Sequence, residues 1–410
     1  MSEPISKRRR PVAPEAAAGG DSMIPDEVLL FGILVRLPVK SLVRFKSVCK
    51  AWCATIATSH FARLHLELAR ASSSTVAHLL VPRKEQRAVP VFVNIYSFQP
   101  SVESNVAKLI MTNKDRIPKF TIPLHCDGLI LIPSITGHTF VCNPTTKEFV
   151  ELPLGTPNVV SNQRVAFGFD PSSGTYKVAR HFLRSRGEGK KVTEFDVGHE
   201  VLTFGDGRET LEWKATIDPP YPIKGRTPIC LPGFFYWSAV QSVADDAYQA
   251  ELTTDAILRF SMRDETFTVH PNPPCRSCLG FTDVMCELGG KLCYVHSPSP
   301  LQVSIWLAQD DGHNNVITWT LRRRVSLPIP RSVRVFACAS ADQDTVFLSL
   351  DARDLFKCNL NDGSLEKVVD MRHGLWYHHE EGVKFVHGSL PFSHYMVPYV
   401  ESLLRIGPSC

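Results

Sequence analysis

No stretch of eighteen apolar residues occurs in the 410-residue sequence, so no helix of it is expected to span a membrane. No apolar segment follows the basic start MSEPISKRRR, so no secretory leader is read there and the thiols are expected to stay reduced. A large charge of one sign is also missing. Forty-five basic residues against 41 acidic ones leave +4, too little to make nucleic acid or an acidic membrane the main partner. The common enzyme signatures are absent as well. There is no Gly-x-Ser-x-Gly elbow, no phosphate loop closing in Gly-Lys-Ser/Thr and no His-Glu-x-x-His. The sequence therefore assigns no catalytic residue, no cofactor and no metal.

What is present points to strands. Hydrophobic residues at 44% and charged residues at 21% are ordinary globular usage, and the length allows one small domain beside one large one. Thirty prolines interrupt helices and punctuate strands, which favours a turn-rich β architecture. Most of the twelve cysteines have apolar neighbours (Val48-Cys49, Phe140-Val141-Cys142, Leu292-Cys293-Tyr294, Phe336-Ala337-Cys338) and read as small core residues.

Three polar clusters carry residue types that could do chemistry. Cys275-x-x-Cys278 has Cys286, Cys293 and His296 downstream, but a structural zinc site needs four converging ligands and a second Cys-x-x-Cys pair is missing. Buried thiols are the expectation. His378-His379 beside Glu380-Glu381 invites a metal or acid–base reading, yet neighbours on a strand point to opposite faces. Arg322-Arg323-Arg324 reads as a solvated face, with contact to an acidic target as its alternative.

In chain order, residues 1–22 are polar and proline-bearing and read as a disordered tail. Its Lys7-Arg8-Arg9-Arg10 run is either a nuclear import signal or plain solvated charge. Residues 23–68 are the one compact helical stretch. Pro25 suits a first helical position, and Asp26 and Glu27 offset the positive helix end. Val28, Leu29, Phe31, Ile33, Leu34 and Leu37 supply an apolar face. Pro38 ends that helix and starts another, on which Leu42, Phe45, Val48, Cys49 and Trp52 recur at three- and four-residue steps. Phe61, Leu64 and Leu68 follow on a third piece.

The order Ile-Pro-Asp-Glu, Ile-Leu-x-Arg-Leu-Pro-Val-Lys-Ser-Leu, Arg-Phe-Lys-x-Val-Cys-Lys-x-Trp and Ser-His-Phe resembles the F-box. That resemblance implies binding to the Skp-type adaptor of a cullin ubiquitin ligase. Ile24, Pro25, Leu29, Ile33, Leu34, Leu37, Pro38, Leu42, Val48, Cys49 and Trp52 are then the adaptor contacts or their support. Independently of it, about 45 residues bury too little surface to stand alone, so these helices need a partner. That partner is either another protein or the chain's own β domain.

Residues 69–118 read as a linker with the first strands, and 119–400 as a series of strand–turn–strand units. Units of about 40–50 residues with three or four short strands suggest a propeller, whose closed ring hides most strand edges. A pair of open β-sandwich sheets is the runner-up. The irregular spacing does not fix the blade number, and six is the guess. Cys126-Asp127-Gly128-Leu129, Asn143-Pro144-Thr145-Thr146-Lys147, Leu152-Pro153, Gly168-Phe169-Asp170 with Tyr176-Lys177-Val178, Trp213, Gly233-Phe234-Phe235-Tyr236-Trp237 and Ile305-Trp306 resemble the F-box-associated region of plant F-box proteins. The resemblance implies a kelch-like, propeller-type domain that binds a target protein.

The expectation is thus an α+β multidomain chain, a small N-terminal helical domain before a large all-β propeller-like one. Its expected role is that of a non-catalytic substrate receptor in an SCF-type (Skp–cullin–F-box) E3 ligase, in the nucleus or cytoplasm, without nucleic acid or membrane partners. The alternative is a scaffold propeller whose helices cap its own β domain.

Overall fold

The strand–turn–strand units fold into six blades in the computed structural model, five of them wholly antiparallel and the sixth with Trp376–His378 running parallel to Val106–Thr112. Residues 28–72, 77–84, 90–99, 105–158, 164–185, 196–205, 211–223, 228–240, 255–275, 283–310, 317–328, 335–339, 344–350, 353–379, 382, 384–385 and 392–407 are described. The sequence reading of residues 1–22 lies outside them.

Blade I holds Leu124–Cys126, Leu129–Pro133, Thr139–Asn143 and Glu148–Glu151. Blade II holds Arg164–Asp170, Thr175–Ser185, Asp196–Phe204 and Trp213–Ala215. Blade III is Ile229–Leu231, Phe234–Val240, Asp255–Ser261 and Phe267–Pro271. Blade IV is Val284–Leu288, Lys291–Ser299, Gln302–Asp310 and Ile317–Ser326. Blade V is Val335–Ala339, Thr345–Leu350, Asp354–Asn359 and Leu365–Asp370. Within each of these blades every strand pairs with the next in sequence.

Blade VI breaks that rule and closes the ring. Its innermost strand, Phe392–Tyr399, comes from the C-terminal end of the chain and pairs with Ala77–Lys84 in an unbroken antiparallel register from Ala77↔Tyr399 to Lys84↔Phe392. Asn94–Phe98, Val106–Thr112, Trp376–His378 and Lys384–Phe385 continue outward. The strands between residues 77 and 112 are therefore part of the ring. The inner strands of the six blades neighbour one another all the way round, from blade I to VI and back to I. A closed ring, not a pair of sandwich sheets, leaves no inner strand as a free edge.

Local chemistry explains the tight hairpins. Asp127-Gly128 and Gly289-Gly290 hold both central residues at positive φ, the geometry whose twist matches two-residue hairpins. At Gly128 a Cβ would also lie 2.4 Å from the Val400 carbonyl oxygen. Between blades, Arg322 donates to Asp344 at 2.8 Å and Asn361 at 2.7 Å, and Arg323 donates to the Leu360 carbonyl at 2.9 Å. Arg322 and Arg323 thus latch blade IV to blade V, while Arg324 keeps the solvated position expected of the run. In blade II, Arg180 and Glu200 are cross-strand partners with Nε–Oε1 at 3.0 Å, both buried. Glu200 also accepts from the backbone and hydroxyl of Thr156, which pins the incoming crossover to the blade.

Candidate functional site

The helical domain begins with a wide π-type turn (Val28–Ile33) followed at once by a tight 3-10 turn (Leu34–Arg36), where a regular α-helix was expected. The change of pitch around Gly32, the poorest helix former after proline, rotates the buried face. Leu30, Leu34 and Val35 point inward, while Val28 and Ile33 point out. The expected second helix is in fact two, α1 (Val39–Phe45) and α2 (Lys50–Ile56), separated by a turn in which the Val48 N–H donates to the Phe45 carbonyl. Edge-on contact of Phe45 with Trp52, centroids 5.7 Å apart, closes that turn. The third helix, α3 (Ser59–Ser72), starts where the Thr58 hydroxyl accepts from the Phe61 N–H.

Among the expected adaptor residues, Ile24 and Pro25 lie outside the described residues. Leu34 and Leu42 are buried in the domain's own core, and Leu29, Leu37 and Trp52 back onto it half-buried. Pro38 and Cys49 are exposed; Pro38 caps α1, and the Cys49 sulfur accepts from the Trp52 N–H to cap α2. Cys49 is therefore not a core thiol. Ile33 and Val48, 45% and 58% exposed, are the apolar side chains left open to a partner. Val28 and Val43 are open in the same way and were not among the expected contacts. Their exposure depends on pitch and helix breaks that spacing alone does not reveal.

The other face of these helices is not free. One continuous apolar core joins Leu34, Leu42, Phe61 and Leu66 to Leu129 of blade I, Phe167 and Tyr176 of blade II, and Leu403 of the C-terminal segment. α3 lies over the inner turns of blades I and II. Arg63 stacks on Phe169 at 4.6 Å, and Arg70 pairs with Asp127, whose second oxygen accepts from the Tyr176 hydroxyl at 2.8 Å. Burial pushes the Tyr176 phenol well above its ordinary pKa, so it stays a donor. The Asn143 amide donates to the carbonyls of Ser402 at 3.1 Å and Leu404 at 2.8 Å and so holds the C-terminal segment beneath the helices. The resemblance residues of blades I and II, Cys126 to Leu129, Asn143, Phe169 and Tyr176 among them, thus build the seat for the helical domain, while Gly233 to Trp237 and Ile305-Trp306 lie in blades III and IV.

Asp170 organises the blade II turn beside that seat. It accepts from the Ser172 N–H and hydroxyl and from the Ser173 hydroxyl, and Lys177 lies at 3.4 Å. Burial alone would raise its pKa, but the hydrogen bonds and the lysine outweigh it and hold the carboxyl below the ordinary value. A depressed folded pKa stabilises above the unfolded value of about 3.9 and loses that contribution as pH falls through the folded one. The urea midpoint is expected to drop between about pH 5 and about pH 3, less steeply in Asp170→Asn than in wild type. Equal slopes in the two proteins would remove Asp170 from this role.

The described members of the cysteine and histidine clusters have structural partners. Cys286 and Cys293 are cross-strand partners, both buried. The His296 ring pairs instead with Asp283 at 3.0 Å, which also accepts from the Tyr294 hydroxyl at 3.0 Å. Cys275 is disulfide-bonded rather than a free thiol; Cys278 lies outside the described residues. His379 meets the Tyr96 hydroxyl at 3.1 Å, and Glu380 and Glu381 are outside the described residues. Among the described residues no group of three or more His, Cys, Asp or Glu side chains is placed to hold a metal ion.

Comparison with known proteins follows the same division. Residues 22–64 match the F-box domain model, and residues 78–360 match the model of the F-box associated beta propeller domain. The F-box protein At5g10340 of Arabidopsis thaliana is 28% identical over 341 residues, covering 76% of this chain and 71% of its own. F-box protein At1g47340 of the same plant is 25% identical, covering 70% and 61%. Putative F-box protein At5g62660, also from Arabidopsis thaliana, is 26% identical, covering 75% and 78%. Among solved structures, an oligogalacturonate lyase in complex with manganese overlays with a TM-score of 0.40 at 10% identity, covering 73% of this chain and 83% of that one.

Proposed function

The chain belongs to the family of proteins that carry an F-box-associated β-propeller domain behind an N-terminal F-box, and from that premise we propose that it is the substrate receptor of an SCF-type E3 ubiquitin ligase. In this reading the F-box binds a Skp-type adaptor, and through it a cullin, while the propeller holds a target protein. The chain itself does no chemistry. It raises the effective concentration of target lysines beside the ubiquitin-charged enzyme. The reading places it in the nucleus or cytoplasm.

One observation carries the reading. The helices use one face on the propeller and leave Val28, Ile33, Val43 and Val48 open on the surface. Four exposed branched aliphatic residues within about twenty positions of sequence give a partner apolar surface to cover. The second reading, a scaffold whose helices cap its own β domain, is favoured by the continuous core that joins the two. That packing does not decide between them, because the four exposed side chains are not among those packed on the propeller. Size-exclusion of the purified chain with a Skp-type adaptor does decide. A co-eluting complex is expected, and no shift would leave the scaffold reading.

A further inference from the structure

The ligase reading makes no use of the propeller's central channel, which encloses a cavity of about 470 Å³. That volume falls among small-molecule sites, which are mostly apolar with a few placed polar groups. The wall here has that character. Leu124, Phe169, Ile229, Met285 and Val397 supply apolar surface from the inner strands of blades I, II, III, IV and VI.

The polar groups narrow the chemistry. Ser349 of blade V borders the cavity and is buried, and among the described residues its hydroxyl has no hydrogen-bond partner. A buried hydroxyl left unpaired is costly, and an occupant able to reach it removes that cost. His125 faces the lumen, open to water yet walled by protein, and that enclosure lowers its pKa to about 4. It therefore stands in the channel as a neutral imidazole. Glu287 adds a carboxylate, and the Asp127 carboxylate is already matched by Arg70 at the mouth under α3. An anionic occupant would meet Glu287 without a free cation among the described lining residues.

We infer that the channel is a binding site for a small, uncharged, mainly apolar molecule carrying a hydroxyl or carbonyl group that hydrogen-bonds at Ser349. The inference stands apart from the ligase reading, since it is tested on the full chain without adaptor.

N-phenyl-1-naphthylamine, an uncharged fluorophore that brightens on leaving water, is titrated into the full-length chain. Saturable enhancement at one site per chain is expected. Met285→Trp and Val397→Phe, which fill the lumen, should each weaken it at least tenfold while the thermal midpoint stays close to wild type. Absence of saturable enhancement, or equal binding by a folded channel-filled variant, overturns the proposal. Should both variants fail to fold, photolabelling of the wild-type chain with an octanol diazirine decides. Adducts mapped by mass spectrometry to channel residues support the site, and adducts confined to the outer surface overturn it.

Discussion

Replacing Ile33 and Val48 together by Asp is expected to abolish recovery of a Skp-type adaptor with the chain while leaving its thermal midpoint unchanged. Both side chains stand outside the core that joins F-box and propeller, at 45% and 58% exposure, so the fold has little to lose. The adaptor complex has much to lose. If each side chain contributes about 1.5 kcal/mol on burial, losing both weakens Kd by roughly a hundredfold, and two carboxylates forced into an apolar contact add a desolvation cost. The comparison with Leu42→Asp shows why these positions were chosen. Leu42 is fully buried, so a charge there unseats the whole domain, and failure to bind would say nothing about contact. Leu37 shares the difficulty, because it backs onto the same core and α3 reaches its carbonyl through the His65 ring at 2.9 Å. Pull-down at matched concentration, with calorimetry on both proteins, separates the effects. Undiminished adaptor recovery by the double variant would remove this surface from the interface.

The sequence pattern located the F-box but turned its face. Apolar spacing at an α-helical period puts Val28, Leu29, Phe31, Ile33, Leu34 and Leu37 on one face; the π-type and 3-10 turns keep Leu29, Phe31, Leu34 and Leu37 on the core but turn Val28 and Ile33 out and bring Leu30 and Val35 in. Backbone pitch is decided by what the segment packs on, which local spacing does not contain. Turn chemistry was more legible because it is local. Asp127-Gly128, Asn143 and Asp170 each cap or bend the chain within three residues of themselves, and each does so in the fold. Their second partners were invisible, since Asp127 meets Arg70 and Asn143 meets Leu404 across long stretches of chain. Ring closure by Ala77–Lys84 and Phe392–Tyr399 is the extreme case, with more than 300 residues between the partners. One register was within reach. A two-residue Gly289-Gly290 hairpin pairs Leu288 with Lys291, and counting outward by twos places Cys286 opposite Cys293.

Asp127→Ala is expected to destabilise the chain by about 2–5 kcal/mol and to loosen α3 on the propeller. Two costs add. The Tyr176 hydroxyl, buried and held as a donor, loses its acceptor, and a group left so costs about 1–3 kcal/mol. Residue 127 also sits at φ 56°, where alanine is strained by about 1–2 kcal/mol and asparagine much less. The ion pair contributes little of the total, because the Arg70 side chain is half exposed; Arg70→Ala should cost under about 1 kcal/mol. The order of stability is therefore wild type, Arg70→Ala, Asp127→Asn, Asp127→Ala. Urea unfolding measures that order, and amide hydrogen exchange across residues 59–72 measures the docking. If Asp127→Ala matched wild type in both, α3 would be held by the apolar core alone. If instead exchange rises in α3 while the blades keep their protection, Asp127 fixes how the F-box is mounted on the ring. On the proposed receptor reading, a target held by the propeller would then be presented at one angle rather than swinging on a tether.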